Sequence, residues 1–216
     1  MINISNRLKS LIKYIDNRDK AIDVGCDHAL LDIYLIKENI LDNIIVSDIS
    51  IKALEQGINN IKKYKLEDVI DARCGNGLDV LNDNDSINTI IISGMGTNTI
   101  LKILDNNYLN NINKLIIQSN RDYYELRKYI CLKGFYIENE EVINDNNKIY
   151  INIIFKRGNK KYNDTELKYG TKDMLNKNIY YNYLIEKYEK IINNSINKKL
   201  RQELMNEINY LKKYAK

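Results

Sequence analysis

An acid placed two residues after a strand-ending glycine is the part of this sequence best equipped for chemistry. The stretch Ala21-Ile22-Asp23-Val24-Gly25-Cys26-Asp27-His28 reads as a buried strand that breaks at the glycine into a helix. It is answered by Val46-Ser47-Asp48, an apolar strand ending in an acid 23 residues after Gly25. In a nucleotide-binding βαβ unit the glycine lets the backbone approach a ligand, and the second acid accepts hydrogen bonds from a ribose diol. A loop that cradles a pyrophosphate wants G-x-G-x-x-G, but the two later positions here are Asp27 and Leu30. A carboxylate at Asp27 repels a pyrophosphate and suits a cationic sulfonium, so the layout favours S-adenosylmethionine over a dinucleotide. A tight turn without a ligand, with Asp27 as the cap of the following helix, satisfies the same residues.

Three further turns follow apolar runs. Arg73-Cys74-Gly75-Asn76-Gly77-Leu78 offers Asn76 as a donor and acceptor for an adenine edge. Ser93-Gly94-Met95-Gly96-Thr97 offers close backbone approach and an apolar thioether. Gln118-Ser119-Asn120 places polar amides at the carboxyl end of another strand. Each alone is an ordinary turn. Together they fall on one edge of a parallel sheet, where open α/β folds bind their ligands.

The elements that must position these turns alternate. A leading helix is expected over 5–17, from the spacing of Leu8, Leu11, Ile12 and Ile15. Strands are expected at 20–24, 43–47, 68–73, 88–93, 113–118, 134–142 and 147–156, and helices near 28–38, 50–63, 97–105 and 122–132. Short continuous runs such as Thr89-Ile90-Ile91-Ile92 suit parallel strands buried on both faces. Asn144-Asp145-Asn146-Asn147 is a turn composition joining the last two strands into a hairpin. The pattern implies an α/β fold, a Rossmann-like seven-stranded sheet.

The strand signal stops after residue 156. Residues 157–171 read as a polar linker, and apolar residues then recur at helical spacing from Leu184 to Leu211. One helix of that length would run about 67 Å at ~1.5 Å per residue. Asn193-Asn194-Ser195 is the candidate break, which favours an antiparallel coiled-coil-like hairpin over 172–192 and 197–214 and leaves an unbroken helix as the alternative.

The 216 residues carry a net charge of +4, unevenly spread. Residues 1–155 hold 18 Lys and Arg against 22 Asp and Glu, whereas residues 156–216 hold 15 against 7 and include 8 of the 17 tyrosines. Clustered positive charge with interleaved aromatics points to a polyanion, nucleic acid above all; a solvated helical surface gives the same count. Cys26, Cys74 and Cys131 are widely spaced and there is one histidine, so neither a zinc site nor a disulfide framework is expected. Polar residues interrupt the first eleven positions, which excludes a signal-peptide core there, and no apolar run reaches the ~18 residues of a membrane span. A cytoplasmic monomer without metal or membrane is the expectation.

Taken together these residues resemble the bacterial tRNA (adenine-N1)-methyltransferases that modify position 22, the TrmK family. The family pattern D-I-G-S-D-H-A-x-L-P is similar to Asp23-Val24-Gly25-Cys26-Asp27-His28-Ala29-Leu30-Leu31-Asp32. Its G-D-G-L, G-M-G-G and Q-P-N resemble Gly75-Asn76-Gly77-Leu78, Gly94-Met95-Gly96-Thr97 and Gln118-Ser119-Asn120. Asn76 stands for an acid, Thr97 for a glycine and Ser119 for a proline. The resemblance implies a cofactor-binding methyltransferase domain over 1–156 and a tRNA-binding linker and hairpin over 157–216. It implies S-adenosylmethionine held by Asp23, Gly25, Cys26, His28, Asp48, Ile49, Asn76, Gly77, Gly94 and Met95. It implies Asp27 and Asn120 as the residues that act on the adenine. Other readings are a methyltransferase for a different substrate, or an RNA-binding module with a degenerate cofactor pocket.

Overall fold

Two neighbouring strands with unbroken isoleucine and leucine runs at their centres set the architecture. Ile90, Ile92, Leu115 and Ile117 point into one hydrophobic core, while Ile91 and Ile116, one residue out of step, point into a second core on the opposite face. A strand that buries both faces needs no polar alternation, which is why the runs are continuous. The computed structural model describes residues 2–214.

The strands are β1 (Ala21–Val24), β2 (Ile44–Asp48), β3 (Ile70–Cys74), β4 (Thr89–Met95), β5 (Lys114–Ser119), β6 (Phe135–Asp145) and β7 (Lys148–Arg157). They form a seven-stranded sheet in the order β3-β2-β1-β4-β5-β7-β6. The first five run parallel, β7 lies antiparallel to β5, and β6 closes the edge as a hairpin partner. The hairpin turns at Asn146 and Asn147, with φ of 51° and 60°. Two left-handed residues in succession match the twist of the flanking strands, and asparagine tolerates that conformation.

Helices α1 (Asn6–Ile12), α2 (Leu30–Lys37) and α3 (Ile51–Tyr64) cover one face, and α4 (Thr97–Leu104) and α5 (Tyr123–Leu132) the other. The first helix is shorter than its apolar spacing predicts. Asp16 accepts the Arg18 amide at 3.0 Å and Asp19 accepts the Asp16 amide at 2.9 Å. These local bonds compete with the helical ladder and end it early. Leu11 and Ile15 are buried all the same.

The polar segment after β7 is more ordered than its composition suggests. It contains α6 (Asp164–Tyr169), started by a reciprocal cap in which Asn163 accepts the Glu166 amide at 2.9 Å and Glu166 accepts the Asn163 amide at 3.0 Å. A buried ion pair fastens this helix to the sheet. Arg127 donates to Glu140 at 2.6 Å, both side chains fully enclosed. The same guanidinium reaches the Leu167 carbonyl at 2.9 Å, and Glu140 accepts the Thr171 amide at 2.7 Å.

Beyond it, α7 (Lys177–Asn194) and α8 (Lys198–Tyr214) form the helical hairpin, broken at Ser195-Ile196-Asn197. Tyr180, Tyr181, Leu184 and Ile185 on α7 join Ile208 and Leu211 on α8 in the same core that holds Ile117 and Phe155 of the sheet. The hairpin is thus packed on the sheet rather than tethered to it.

Breaking one half of a buried ion pair leaves the other charge enclosed and alone, at a cost of about 3–5 kcal/mol. Arg127→Ala is expected to lose that much in urea denaturation. A loss under about 1 kcal/mol would mean that the pair does not anchor the C-terminal segment.

Candidate active site

The carboxyl ends of the five parallel strands meet where the order reverses, between β1 and β4. A cavity of about 300 Å³ opens there, lined by Asp23, Gly25, Cys26, Asp27 and His28 from the first strand end, Asp48 from the second, and Ser93, Gly94 and Met95 from the fourth. Gly25 and Cys26 both donate their amides to the Ser47 carbonyl, at 2.7 and 3.1 Å, which folds the β1 turn against β2. Gly25 has φ +80°, and a Cβ there would collide with Met95 Cε. The positive φ requires the glycine, and the Met95 tip packs into the room it leaves.

Asp27 does not cap α2. The cap position is Ala29, with φ 52° and no side-chain bond, so the capping role open to Asp27 from the sequence is excluded. Its carboxylate is 67% exposed at the mouth of the cavity, and its nearest charged neighbour is the half-exposed His28 imidazole at 3.7 Å. The His28 carbonyl is taken by Asn60 at 2.9 Å. An acid with φ 50° and no helical duty is free to meet a ligand.

Asp48 accepts the Ser50 amide through one oxygen at 2.8 Å, and Ile49 beside it is 70% exposed. An acceptor next to a bare apolar side chain is what a ribose and an adenine face require. Asn76 and Gly77 follow β3; Asn76 is exposed and bonds Asp79 at 3.3 Å, and Gly77 is buried against Ile103 with φ +57°. These two lie outside the cavity lining described above, on the β3 side of the same strand-end edge.

On the other side, the β4–β5 register shifts between Ser93 and Met95, leaving Gly94 in a bulge with φ +82°. Bulges at sheet ends re-aim the chain. Asn120 bridges this bulge, its amide donating to the Met95 carbonyl at 2.9 Å and its Nδ2 to the Gly94 carbonyl at 2.7 Å. This bond uses one of the two Nδ2 hydrogens, and Asn120 Oδ1 accepts no hydrogen bond among the described residues.

Sequence reasoning missed Arg7. Its guanidinium enters the cavity from α1, donating to Ser93 Oγ at 2.6 Å and Gln118 Oε1 at 2.8 Å. Gln118 in turn bonds Asn152, Asn152 donates to Ser10 at 2.8 Å, and Ser10 donates to the Arg7 carbonyl at 2.6 Å. The closed loop straps α1 across β4, β5 and β7. No spacing rule connects Arg7 to residues over 80 positions away; its one local signal is a charge beside Leu8 on an otherwise apolar helix face.

The cavity floor is acidic. Burial raises the Asp23 carboxyl to about 7, with Asp48 pushing the same way and Arg7 opposing. Burial, then Asp23, holds Asp32 well above its ordinary 3.8. Asp32 is fully enclosed in the first turn of α2, and neither carboxyl oxygen meets a donor. Burial also pushes the Cys26 thiol up, with Asp32, Asp23 and Asp48 adding to it, so Cys26 is an inert thiol.

The comparisons bear on this geometry. A family profile for the methyltransferase domain matches residues 4–154. The solved structure of M. capricolum TrmK, in complex with S-adenosylhomocysteine, superposes with a TM-score of 0.86 at 31% identity, over 98% of this chain and 97% of that one. The chain belongs to the TrmK family of methyltransferases. This TrmK chain is also 34% identical, over 147 residues, to a Mycoplasma genitalium protein provisionally named as a tRNA methyltransferase; the match covers 67% of this chain and 65% of that protein, under two thirds of its length. It is 26% identical over 161 residues to the Bacillus subtilis tRNA (adenine(22)-N(1))-methyltransferase, covering 74% of this chain and 67% of that one. Among the described residues of this TrmK chain no helix is long and apolar enough to cross a membrane, and no group of three or more His, Cys, Asp or Glu is placed to hold a metal.

An acid raised on folding favours the folded state at low pH, and that advantage is lost as pH climbs past the ordinary value. Asp32→Asn removes the titration. Its stability relative to the parent is therefore expected to rise between pH 4 and pH 7. Denaturation curves at both pH values read it; a constant difference would show that Asp32 does not carry a folding-linked proton.

Proposed function

We propose that this chain transfers a methyl group from S-adenosylmethionine to N1 of adenine 22 in tRNA. The observation that carries the reading is Asp27, an exposed carboxylate with no capping duty at the mouth of the strand-end cavity. The residues present fit the cofactor. Asp48 offers a free carboxylate oxygen to a ribose diol, Ile49 an apolar face to an adenine, and Gly25 and Gly94 let the backbone close in. Asn76 and Gly77 are assigned to the adenine side of the same edge, and Met95, Cys26 and His28 to its walls. Arg7 is the one guanidinium at the cavity and suits a carboxylate, and the Asp23 carboxyl suits an ammonium.

When bound, the cofactor supplies an electrophilic methyl on a cationic sulfur. Adenine N1 carries a lone pair at neutral pH, so no general base is needed, and His28 has no proton to take. Positive charge grows on the adenine ring and its amine as the bond forms. The Asp27 carboxylate is placed to accept from that amine and stabilise the growing charge. In this reading the Asn120 Oδ1 is a second acceptor for the same amine. Guanine presents an oxygen at that position, which two acceptors repel, so the pair also selects the base.

N1 lies on the pairing edge, so the base must leave its stack, at a cost that contacts elsewhere on the tRNA offset. We assign residues 1–156 to methyl transfer and 157–216 to gripping the RNA. Not every cation counted in the sequence serves that grip. Lys156 pairs with Glu138 at 2.5 Å, and Arg157 lies over the Phe135 ring and donates to the Ile112 carbonyl at 3.0 Å, so both hold the fold. Lys198, Lys199 and Arg201 at the start of α8, with Lys160 and Lys161, are exposed. Cytoplasmic action fits this substrate, and a monomer is the state we propose.

The test is labelled methyl transfer into unmodified tRNA with nucleoside analysis. Formation of 1-methyladenosine at position 22 is expected, and Asp27→Ala should lower kcat by roughly 10²–10³ with cofactor affinity retained. No product in the presence of measurable cofactor binding would overturn the substrate. Reversing Lys198, Lys199 and Arg201 to Glu should weaken tRNA binding and flatten its salt dependence, by about one unit of slope for each phosphate left without its cation; an unchanged slope would remove these cations from the interface.

A further inference from the structure

A second cleft, of about 290 Å³, begins where the first ends. It runs from Asn120 and Arg121, past Tyr124, to the outer face of α7. Asn120 belongs to its wall and also bonds the Gly94 bulge of the cofactor cavity, so one side chain joins the two spaces. Most tyrosines at its base are already engaged. Tyr123 meets Tyr180 edge-on at 5.9 Å and donates to the Ser119 carbonyl, and Tyr169 stacks on Tyr210 at 5.3 Å. Tyr183, Tyr124 and Tyr188 take part in none of the aromatic pairs, and of these three Tyr183 alone is exposed rather than half-buried. It is 45% exposed and also walls a neighbouring hollow that again includes Asn120. Lys187 lies one helical turn beyond Tyr183 and is exposed.

Resting on the tRNA methyltransferase reading, we infer that this cleft is a nucleotide subsite for the residue flanking the target adenosine. Its base stacks on the free face of Tyr183, and its phosphate lies between Lys187 and Arg121. Three observations carry it. The free ring lines both of the hollows that Asn120 walls, and Asn120 bonds the Gly94 bulge of the catalytic cavity. Its neighbours Tyr180 and Leu184 are buried, so the ring's exposure is not needed for packing. The cleft wall carries Arg121, Lys168 and Lys187 against Asp122, a positive excess even with Lys168 occupied by Glu207 at 2.5 Å. A base taken out of its stack drags its neighbour with it. An aromatic ring beside the exit recovers part of the lost stacking, and does so for any base. The hairpin therefore reaches the reacting nucleotide's neighbour as well as the distant backbone.

The experiment uses the full chain with Tyr183→Ala, Tyr183→Phe and Lys187→Ala, reading Kd and KM for tRNA, kcat, and Kd for S-adenosylmethionine. Tyr183→Ala is expected to raise Kd and KM for tRNA roughly fivefold to a hundredfold. Tyr183→Phe should stay near the parent, Lys187→Ala should show an intermediate loss, and cofactor affinity should hold in all three. Unchanged tRNA affinity in Tyr183→Ala, or equal losses in Ala and Phe, overturns the subsite. Ring-dependent tRNA binding without 1-methyladenosine at position 22 would sink the catalytic reading and keep the subsite. Methylation at 22 indifferent to the ring would do the reverse, and a parent chain that neither binds nor methylates tRNA overturns both.

Discussion

Parallel strands leave a gap on their carboxyl edge only where neighbouring connections depart in opposite directions, and in this chain that place is between β1 and β4. The candidate residues of the first and fourth strand ends take their positions from that reversal. Gly25 to His28 leave β1 toward one face, and Gly94 to Thr97 leave β4 toward the other. The turn that opens the gap would be strained if Gly25 carried a side chain, because its φ is +80°, and the Met95 tip would have to move aside. The gap would lose its far wall without the β4 bulge, which turns the Gly94 carbonyl to where Asn120 holds it. The two isoleucine-rich strands beneath, buried on both faces, keep the edge level.

The charge around that gap is arranged in depth. Asp32 lies lowest, enclosed and held toward its neutral form by burial. Asp23 sits above it, balanced between burial and the Arg7 guanidinium, with a carboxyl raised to about 7. Asp27 is outermost, in solvent. The gradient suits a ligand that is cationic at its reactive end, since the acid able to meet that charge is the one that loses least water in doing so. Arg7 gives this order one fixed positive point. Because α1 is strapped to β4, β5 and β7 through Ser93, Gln118 and Asn152, that point is held by the sheet itself and not by a loose N-terminal segment.

The sheet was legible in the sequence because its signals are local. Buried parallel strands write themselves as continuous Ile and Val runs, and the turn at Asn146-Asn147 needs only residues that tolerate positive φ. Glycine and acid at strand ends marked the residues that line the cavity for the same reason. What stayed hidden depends on contacts distant in sequence. Arg7 meets partners more than 80 residues away, and α6 looked like linker because its stability comes from Arg127 and Glu140, which lie on other elements. Asp27 was ambiguous for a subtler reason. An acid before an apolar helix reads as a cap, and only the backbone shows Ala29 in that position with left-handed φ. The exact reach of α1 was likewise set by Asp16 and Asp19 bonding the backbone, against an apolar spacing that continues to Ile15.

The helical hairpin's packing duty and its proposed RNA-binding duty cannot be separated by cutting. Its inner face completes the core over the sheet, with Tyr180, Tyr181, Leu184 and Ile185 packed beside Ile117 and Phe155, so its removal uncovers the sheet as well as removing the basic surface. A chain shortened at residue 172 would therefore lose RNA binding whether or not the hairpin touches RNA. Substitutions on the outer face avoid that confusion, because exposed side chains such as Lys198, Lys199 and Arg201 contribute little to stability. The same packing has a functional consequence. An RNA held by the hairpin is held in a fixed relation to the Asn120 edge, through the buried Arg127–Glu140 pair and the α6 turn it fastens. Binding energy gained far from the reacting atoms can then be used to hold the adenine in line, which a flexible tether would waste.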